Sequence, residues 1–158
     1  MGYGLPAAIG AAFACPGETV VCVTGDGGFQ MNSQELATAV YHKLPIKIIL
    51  LNNGYLGMVR QWQDLFYGKR YAHTVTGPGN PDFVKLAQSY GADAWRVENK
   101  EDVKEAVDNA MKINDRPVVV EFCVSPEMNV MPMVPAGAPL TQMLGYDNPS
   151  KTKKGRQK

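Results

Sequence analysis

Three short apolar runs recur along the chain: residues 19–24 (TVVCVT), 46–51 (IKIILL) and 118–124 (VVVEFCV). Runs this short and this rich in Val and Ile read as strands. Two of them are nearly continuous in apolarity, as strands covered on both faces of a parallel sheet are. A weaker run, residues 92–97 (ADAWRV), precedes a helical pattern. Between the runs the apolar spacing changes to that of helices. Residues 5–14 carry Pro6 in the first turn, where its missing N–H removes no bond. Residues 33–43 put Leu36, Ala37 and Val40 on one face, with Asn32 as the expected N-cap and Glu35 at the capping-box position. Residues 56–66 align Val59, Trp62 and Phe66 in one apolar stripe, the pattern of a helix facing a core. Residues 81–90 and 101–113 complete the set, the last stopped ahead of Asp115-Arg116-Pro117.

Strands that alternate with helices predict right-handed crossovers. The expected fold is therefore α/β: a doubly wound, mainly parallel sheet with helices on both faces. After Ser125 the pattern stops. Pro126, Pro132, Pro135 and Pro139, with Met128, Met131, Met133 and Gly137, read as an extended apolar strap that has to lie on something. One domain is expected over residues 1–145, with no internal repeat, followed by a basic disordered tail at 146–158.

Charge changes this picture only at the tail. The chain has 16 Lys+Arg against 15 Asp+Glu. Lys151, Lys153, Lys154, Arg156 and Lys158 lie in the tail, which leaves 11 basic against 15 acidic groups in residues 1–150. A nucleic-acid-binding body would keep a basic face without its tail, so nucleic acid is not an expected partner. No apolar run reaches the ~18 residues of a membrane span, and no signal segment is visible, so no membrane partner is expected either. Cys15, Cys22 and Cys123 are odd in number and form no CxxC pair, which points to a reducing, cytoplasmic setting.

The chemistry lies at strand ends, where open α/β sheets bind ligands. Gly25-Asp26-Gly27-Gly28 follows the first strand and Asn52-Asn53-Gly54 closes the second. Between Gly27 and Asn52 lie 24 residues, room for one loop, one helix and one strand. That spacing brings Asp26 and Asn53 to one sheet edge. A carboxylate and an amide oxygen held together there are hard ligands for Mg²⁺ or Ca²⁺. The glycines allow close backbone approach to a diphosphate. A rival reading stands beside this one. Gly2-Tyr3-Gly4-Leu5-Pro6-Ala7 fits G-x-G-x-x-A, and Asp26 follows as a ribose-binding acid would, which is the pattern of an NAD-type dinucleotide site. Taken singly, Gly-Asp-Gly and Asn-Asn-Gly are also ordinary turn signals.

Gly25-Asp26-Gly27, 24 residues and Asn52-Asn53 resemble the fingerprint of the thiamine diphosphate (ThDP)-dependent enzymes. Within that superfamily, MGYGLPAAIGAA, LNNGYLGMVRQWQDLFY and NVMPMVPAG resemble the catalytic subunit of acetolactate synthase, over residues 1 to about 145. The resemblance implies Mg²⁺ held by Asp26, Asn53 and the Tyr55 carbonyl. It implies a cofactor site that also includes Met1, Gly25, Gly27, Gly28 and Met58, with Met1 as the bulky residue under the thiazolium. Met58 and Trp62 would line the substrate channel, and the strap after Ser125 would fold over the active site. Pyruvate would be decarboxylated and joined to a second pyruvate or to 2-oxobutyrate, in branched-chain amino acid synthesis.

The resemblance also implies what is missing. No catalytic residue is expected in this chain: the glutamate that activates the cofactor and the FAD would belong to other domains. The chain would then be a C-terminal piece of a larger subunit that forms a homodimer or homotetramer and pairs with a small regulatory subunit. A stand-alone subunit of a two-chain ThDP decarboxylase is the alternative within the same chemistry. On the bland reading, Met58 and Trp62 are core residues of an amphipathic helix. His42 and His73 receive no catalytic role.

Overall fold

The computed structural model describes residues 1–145; the tail expected to be disordered lies outside the described residues. In chain order the elements are α1 (Gly4–Ala14), β1 (Val21–Gly25), α2 (Asp26–Gln30), α3 (Leu36–Tyr41), β2 (Lys47–Asn52), α4 (Gly57–Phe66), α5 (Phe83–Ser89), β3 (Asp93–Val97), α6 (Val103–Lys112) and β4 (Val118–Cys123). All three strand pairings are parallel, in the order β1-β2-β4-β3. This is the doubly wound α/β sheet that the alternation of runs predicts. The last strand in sequence lies between β2 and β3 and is the most buried, as its run of apolar residues around a single glutamate leads one to expect.

Side chains alternate between two faces. Cys22, Ile48, Leu50 and Val119 point to the face packed by α1, α3 and α5 through Leu5, Leu36 and Phe83. Phe29 of α2 meets Phe83 edge to face at 5.9 Å within the same cluster. Val118, Val120 and Phe122 point to the opposite face, where Ala106 and Ala110 of α6 pack. That second layer is narrower than the sheet. Val21 and Val23 of β1 are 49% and 63% exposed. The first apolar run is thus an edge strand covered on one face only, a correction to the expectation of two covered faces.

Other details differ from the sequence reading. Residues 33–43 divide into a 3-10 turn, Ser33–Glu35, and α3. The inward residues of α3 are Leu36 and Ala39, whereas Ala37 is exposed. Asn32 makes no side-chain cap; its Nδ2 donates to Gly2 O at 2.6 Å, and its Oδ1, the atom a cap would use, accepts from Gln34 Nε2 at 3.5 Å. The stripe on α4 is inverted. Its buried residues are Arg60 and Gln61, while Val59 and Phe66 are exposed. Arg60 is accommodated between the rings of Tyr55 and Tyr71, with its guanidinium carbon 5.3 and 4.8 Å from their centroids.

The chain divides after Pro126. The second unit, by itself, is held by a two-residue antiparallel bridge. Met133 N donates to Leu144 O at 3.0 Å and Leu144 N to Met133 O at 2.7 Å. The peptide between Met131 and Pro132 is cis.

Candidate functional site

Adjacent parallel strands put their carboxyl ends side by side. Gly25 of β1 is in register with Leu51 of β2, so the Gly-Asp-Gly turn and the Asn-Asn-Gly turn leave the sheet at one edge. Asp26 is the first residue of α2 and is 1% exposed. Its Oδ2 accepts from Thr76 Oγ1 at 2.9 Å and from Asn80 Nδ2 at 2.8 Å. Asn53 Oδ1 accepts from Tyr55 N at 3.0 Å, and Asn52 Oδ1 from Gly54 N at 3.1 Å. These two Asx turns fix the exit from β2, and Gly54 takes the left-handed φ of 67° that the turn needs.

A third segment joins the two turns. Thr76 N and Gly77 N both donate to Gly54 O, at 2.8 and 2.9 Å, and Leu56 N donates to Thr74 O at 2.9 Å. Thr76 therefore holds Asp26 through its hydroxyl and the Asn53 turn through its backbone. Thr76 and Asn80 were missed in sequence because neither belongs to a strand-end motif. The Gly77-Pro78-Gly79 turn between them, which brings the chain back to Asp26, was the available signal.

The remaining sequence-predicted residues fall around this edge. A Cβ on Gly27 would lie 2.9 Å from Leu56 Cδ2 and 3.5 Å from Met1 Cε, so Met1, Gly27 and Leu56 are neighbours. A Cβ on Gly28 would lie 3.2 Å from Thr24 Oγ1, and one on Gly25 would meet only Leu51 O, at 3.8 Å. A side chain at Gly27 would need the Leu56 side chain to turn away, and one at Gly28 would need Thr24 to give by a few tenths of an ångström, so the two glycines leave the backbone open without being fixed by packing alone. A Cβ on Gly57 would meet Asn53 Nδ2 at 2.9 Å, which seats the first turn of α4 against the Asn53 side chain. Met58 is next in line and 53% exposed, so it is not a core residue in this chain. Trp62 lies one turn on, half-buried, 5.1 Å from the Phe66 ring, beside a groove of about 560 Å³ lined by Val59, Gln63, Tyr67 and Arg70. His42 contacts the rings of Phe13 and Tyr41.

The donor set suits a hard divalent cation. Among the described residues no three His, Cys, Asp or Glu side chains gather to hold a metal. An ion at this edge would rest on one carboxylate, one amide oxygen and a backbone carbonyl, a set typical of Mg²⁺ shared with phosphate and water. Asn80 Oδ1 is buried without a hydrogen-bond partner, beside the carboxylate its own Nδ2 holds. Water retained by Mg²⁺ is a donor that such an orphaned acceptor can use.

Comparison with known proteins decides the family. Residues 1–122 match the family described as thiamine pyrophosphate enzyme, C-terminal TPP binding domain. The chain belongs to this family. Similar proteins include the acetolactate synthase large subunit of Porphyra purpurea, 48% identical over 96% of this chain and 25% of the relative. The acetolactate synthase of Mycobacterium bovis is 50% identical over 87% of this chain and 23% of the relative. Among solved structures, the thiamine diphosphate-dependent 4-hydroxybenzoylformate decarboxylase of Rhodococcus jostii superposes with a TM-score of 0.72 at 33% identity. That match covers 79% of this chain and 23% of the decarboxylase. The chain spans about a quarter of the length of the curated relatives it matches. Membership of this thiamine pyrophosphate family removes the dinucleotide reading. In the structure Gly2 O is engaged by Asn32, and Asp26 by Thr76 and Asn80.

Proposed function

We propose that this chain is the cofactor-diphosphate and Mg²⁺ site of an acetolactate synthase, which decarboxylates pyruvate and joins the product to a second pyruvate or 2-oxobutyrate. One observation carries the site: Thr76 ties the buried Asp26 carboxylate and the Asn53 turn to the same edge. The reaction class is supported by the acetolactate synthases at 48% and 50% identity.

When bound, thiamine diphosphate supplies the nucleophilic carbon and the electron sink for 2-oxo acid decarboxylation. The chain's own work is anchoring. Asp26 contributes negative charge to the metal, while Asn53 Oδ1 and the Tyr55 carbonyl add neutral oxygens. The donors from Thr76 and Asn80 keep the carboxylate from rotating. Holding the diphosphate end fixes where the reactive end lies, and catalysis gains from that positioning. Met1, beside Gly27, supports the cofactor from the α1 side. Met58 and Trp62 form an apolar wall leading away from Asn53, suited to the short alkyl groups of pyruvate and 2-oxobutyrate.

No proton-transfer role falls to the buried glutamate, Glu121, because Asn52 and Arg96 already engage both its oxygens. On this reading the activating glutamate and FAD come from sequence outside this chain. The working enzyme is a homodimer or homotetramer in a reducing cytoplasm, with a small regulatory subunit. The three unpaired cysteines agree with that compartment.

The test is calorimetric titration of thiamine diphosphate with and without Mg²⁺ in the full-length enzyme. Asp26→Ala and Asn53→Ala are expected to remove the Mg²⁺-dependent part of binding while circular dichroism shows an intact fold. Unchanged affinity in both variants would refute the metal assignment.

A further inference from the structure

A charged side chain interrupts the most buried strand. Glu121 sits in β4 between Val120 and Phe122 and is 1% exposed. A lone carboxylate there is strongly disfavoured unless its oxygens are satisfied. Both are. Oε1 accepts from Asn52 Nδ2 at 2.7 Å, and Oε2 accepts from Arg96 Nε at 2.8 Å. Arg96 is in register with Glu121 across the β3–β4 ladder, and Asn52 is the last residue of β2 on the other side. Arg96 Nη2 also reaches Asp82 Oδ1 at 3.2 Å.

The consequence concerns Asn52. An ionised carboxylate only accepts hydrogen bonds, so it dictates which end of the Asn52 amide faces it. Nδ2 must point to Glu121, which leaves Oδ1 to accept from Gly54 N. Gly54 is the residue whose carbonyl receives Thr76 N and Gly77 N, and Asn53 lies between Asn52 and Gly54. Building on the function proposed above, we infer that Glu121 is a positioning residue for the metal-binding turn. By locking the Asn52 amide it holds the Gly54 N–H and so sets the placement of Asn53 and Tyr55. It touches neither metal nor cofactor. Residues behind metal ligands act in this way, and their loss lowers metal affinity by about 10- to 100-fold.

The test reads the link itself, with no ligand present. Amide hydrogen exchange is followed by NMR in the full chain for wild type, Glu121→Gln, and Glu121→Gln combined with Asn52→Asp. The single change allows the Asn52 amide to turn over, so Gly54 exchange is expected to rise about tenfold or more above that of Ile48 and Leu50 in the same variant. The double change exchanges donor and acceptor: the new amide donates to the new carboxylate, whose other oxygen again accepts from Gly54 N. Gly54 protection is expected to return. Unchanged Gly54 exchange in Glu121→Gln overturns the inference. So does a uniform rise across the sheet that the double change fails to reverse at Gly54. Should the single variant not fold, the double variant decides alone, with protected Gly54 supporting the inference and unprotected Gly54 overturning it. Mg²⁺ titration in the presence of thiamine diphosphate then separates the two readings. Full Mg²⁺ affinity in both Asp26→Ala and Asn53→Ala would refute the metal assignment and leave the Glu121 link standing on its exchange data.

Discussion

Thr76 donates its hydroxyl to Asp26 and its backbone N–H to Gly54, so a single residue touches both strand-end turns. Thr76→Val keeps the shape and removes only the hydroxyl. On the metal site proposed above, a roughly 10-fold loss of Mg²⁺ affinity is expected by titration calorimetry, of the size seen when residues behind metal ligands are removed. Thr76→Ser keeps the donor and is expected to retain that affinity. Lys47 gives a second prediction. It is buried on β2, its Nζ donates to Ile113 O past the end of α6, and burial pushes its pKa below the ordinary lysine value despite the raising influence of Asp115. Between that lowered value and the ordinary one, the unfolded chain binds more protons than the folded one. The Lys47 contribution to stability therefore rises with pH through this window. Urea unfolding between pH 8 and about 10.4, the ordinary lysine pKa, is expected to show that rise relative to Lys47→Met.

Helix α4 shows what periodicity can and cannot read. Its apolar spacing is genuine, yet the stripe faces outward and Arg60 with Gln61 faces in. The hydrophobic pattern identified the helix; the direction depended on Tyr55 and Tyr71, which flank Arg60 from outside the helix. Arg60→Ala is accordingly expected to destabilise the chain by about 2 kcal/mol, the sum of two partly desolvated cation–π contacts. Val59→Ala, at 46% exposure, should cost less than about 0.5 kcal/mol by the same chemical denaturation. A core stripe would give the opposite ranking. On the function proposed above, Trp62→Leu in the full-length enzyme is expected to change the choice of second 2-oxo acid more than the melting temperature. The strands were legible to within two residues, because β-branched runs bounded by turns have one reading. The placement of Asp26 and Asn53 at one sheet edge was legible as well, since parallel strands one crossover apart end at the same edge. Thr76, Asn80 and Glu121 were not: each acts through a partner 50 or more residues away, and no local pattern encodes such a pairing.

At the scale of the whole chain, the sheet is better covered on one side than on the other. Beyond α6 a groove of about 470 Å³ lined by Val21, Ile49, Leu51, Phe122 and Val124 lies open, next to the exposed Val23. Contiguous apolar surface of this kind associates in water. The isolated chain is expected to bind 8-anilinonaphthalene-1-sulfonate and to show concentration-dependent sedimentation. Val23→Lys should reduce both without changing the unfolding midpoint by more than about 0.5 kcal/mol equivalent, as usual for an exposed position.

The position of β4 has a further consequence during synthesis. Because β4 inserts between β2 and β3, the ribosome must complete residue 123 before those two strands acquire their shared neighbour. Until then the nascent chain presents two unpaired strand edges, the kind of surface that chaperones shield and that seeds aggregation. The clasp between Asn52 and Glu121 closes in the same late event. Translation products that stop short of this strand would lose the ordered turn together with the middle of the sheet, so premature termination yields material for proteolysis rather than a weakened binder.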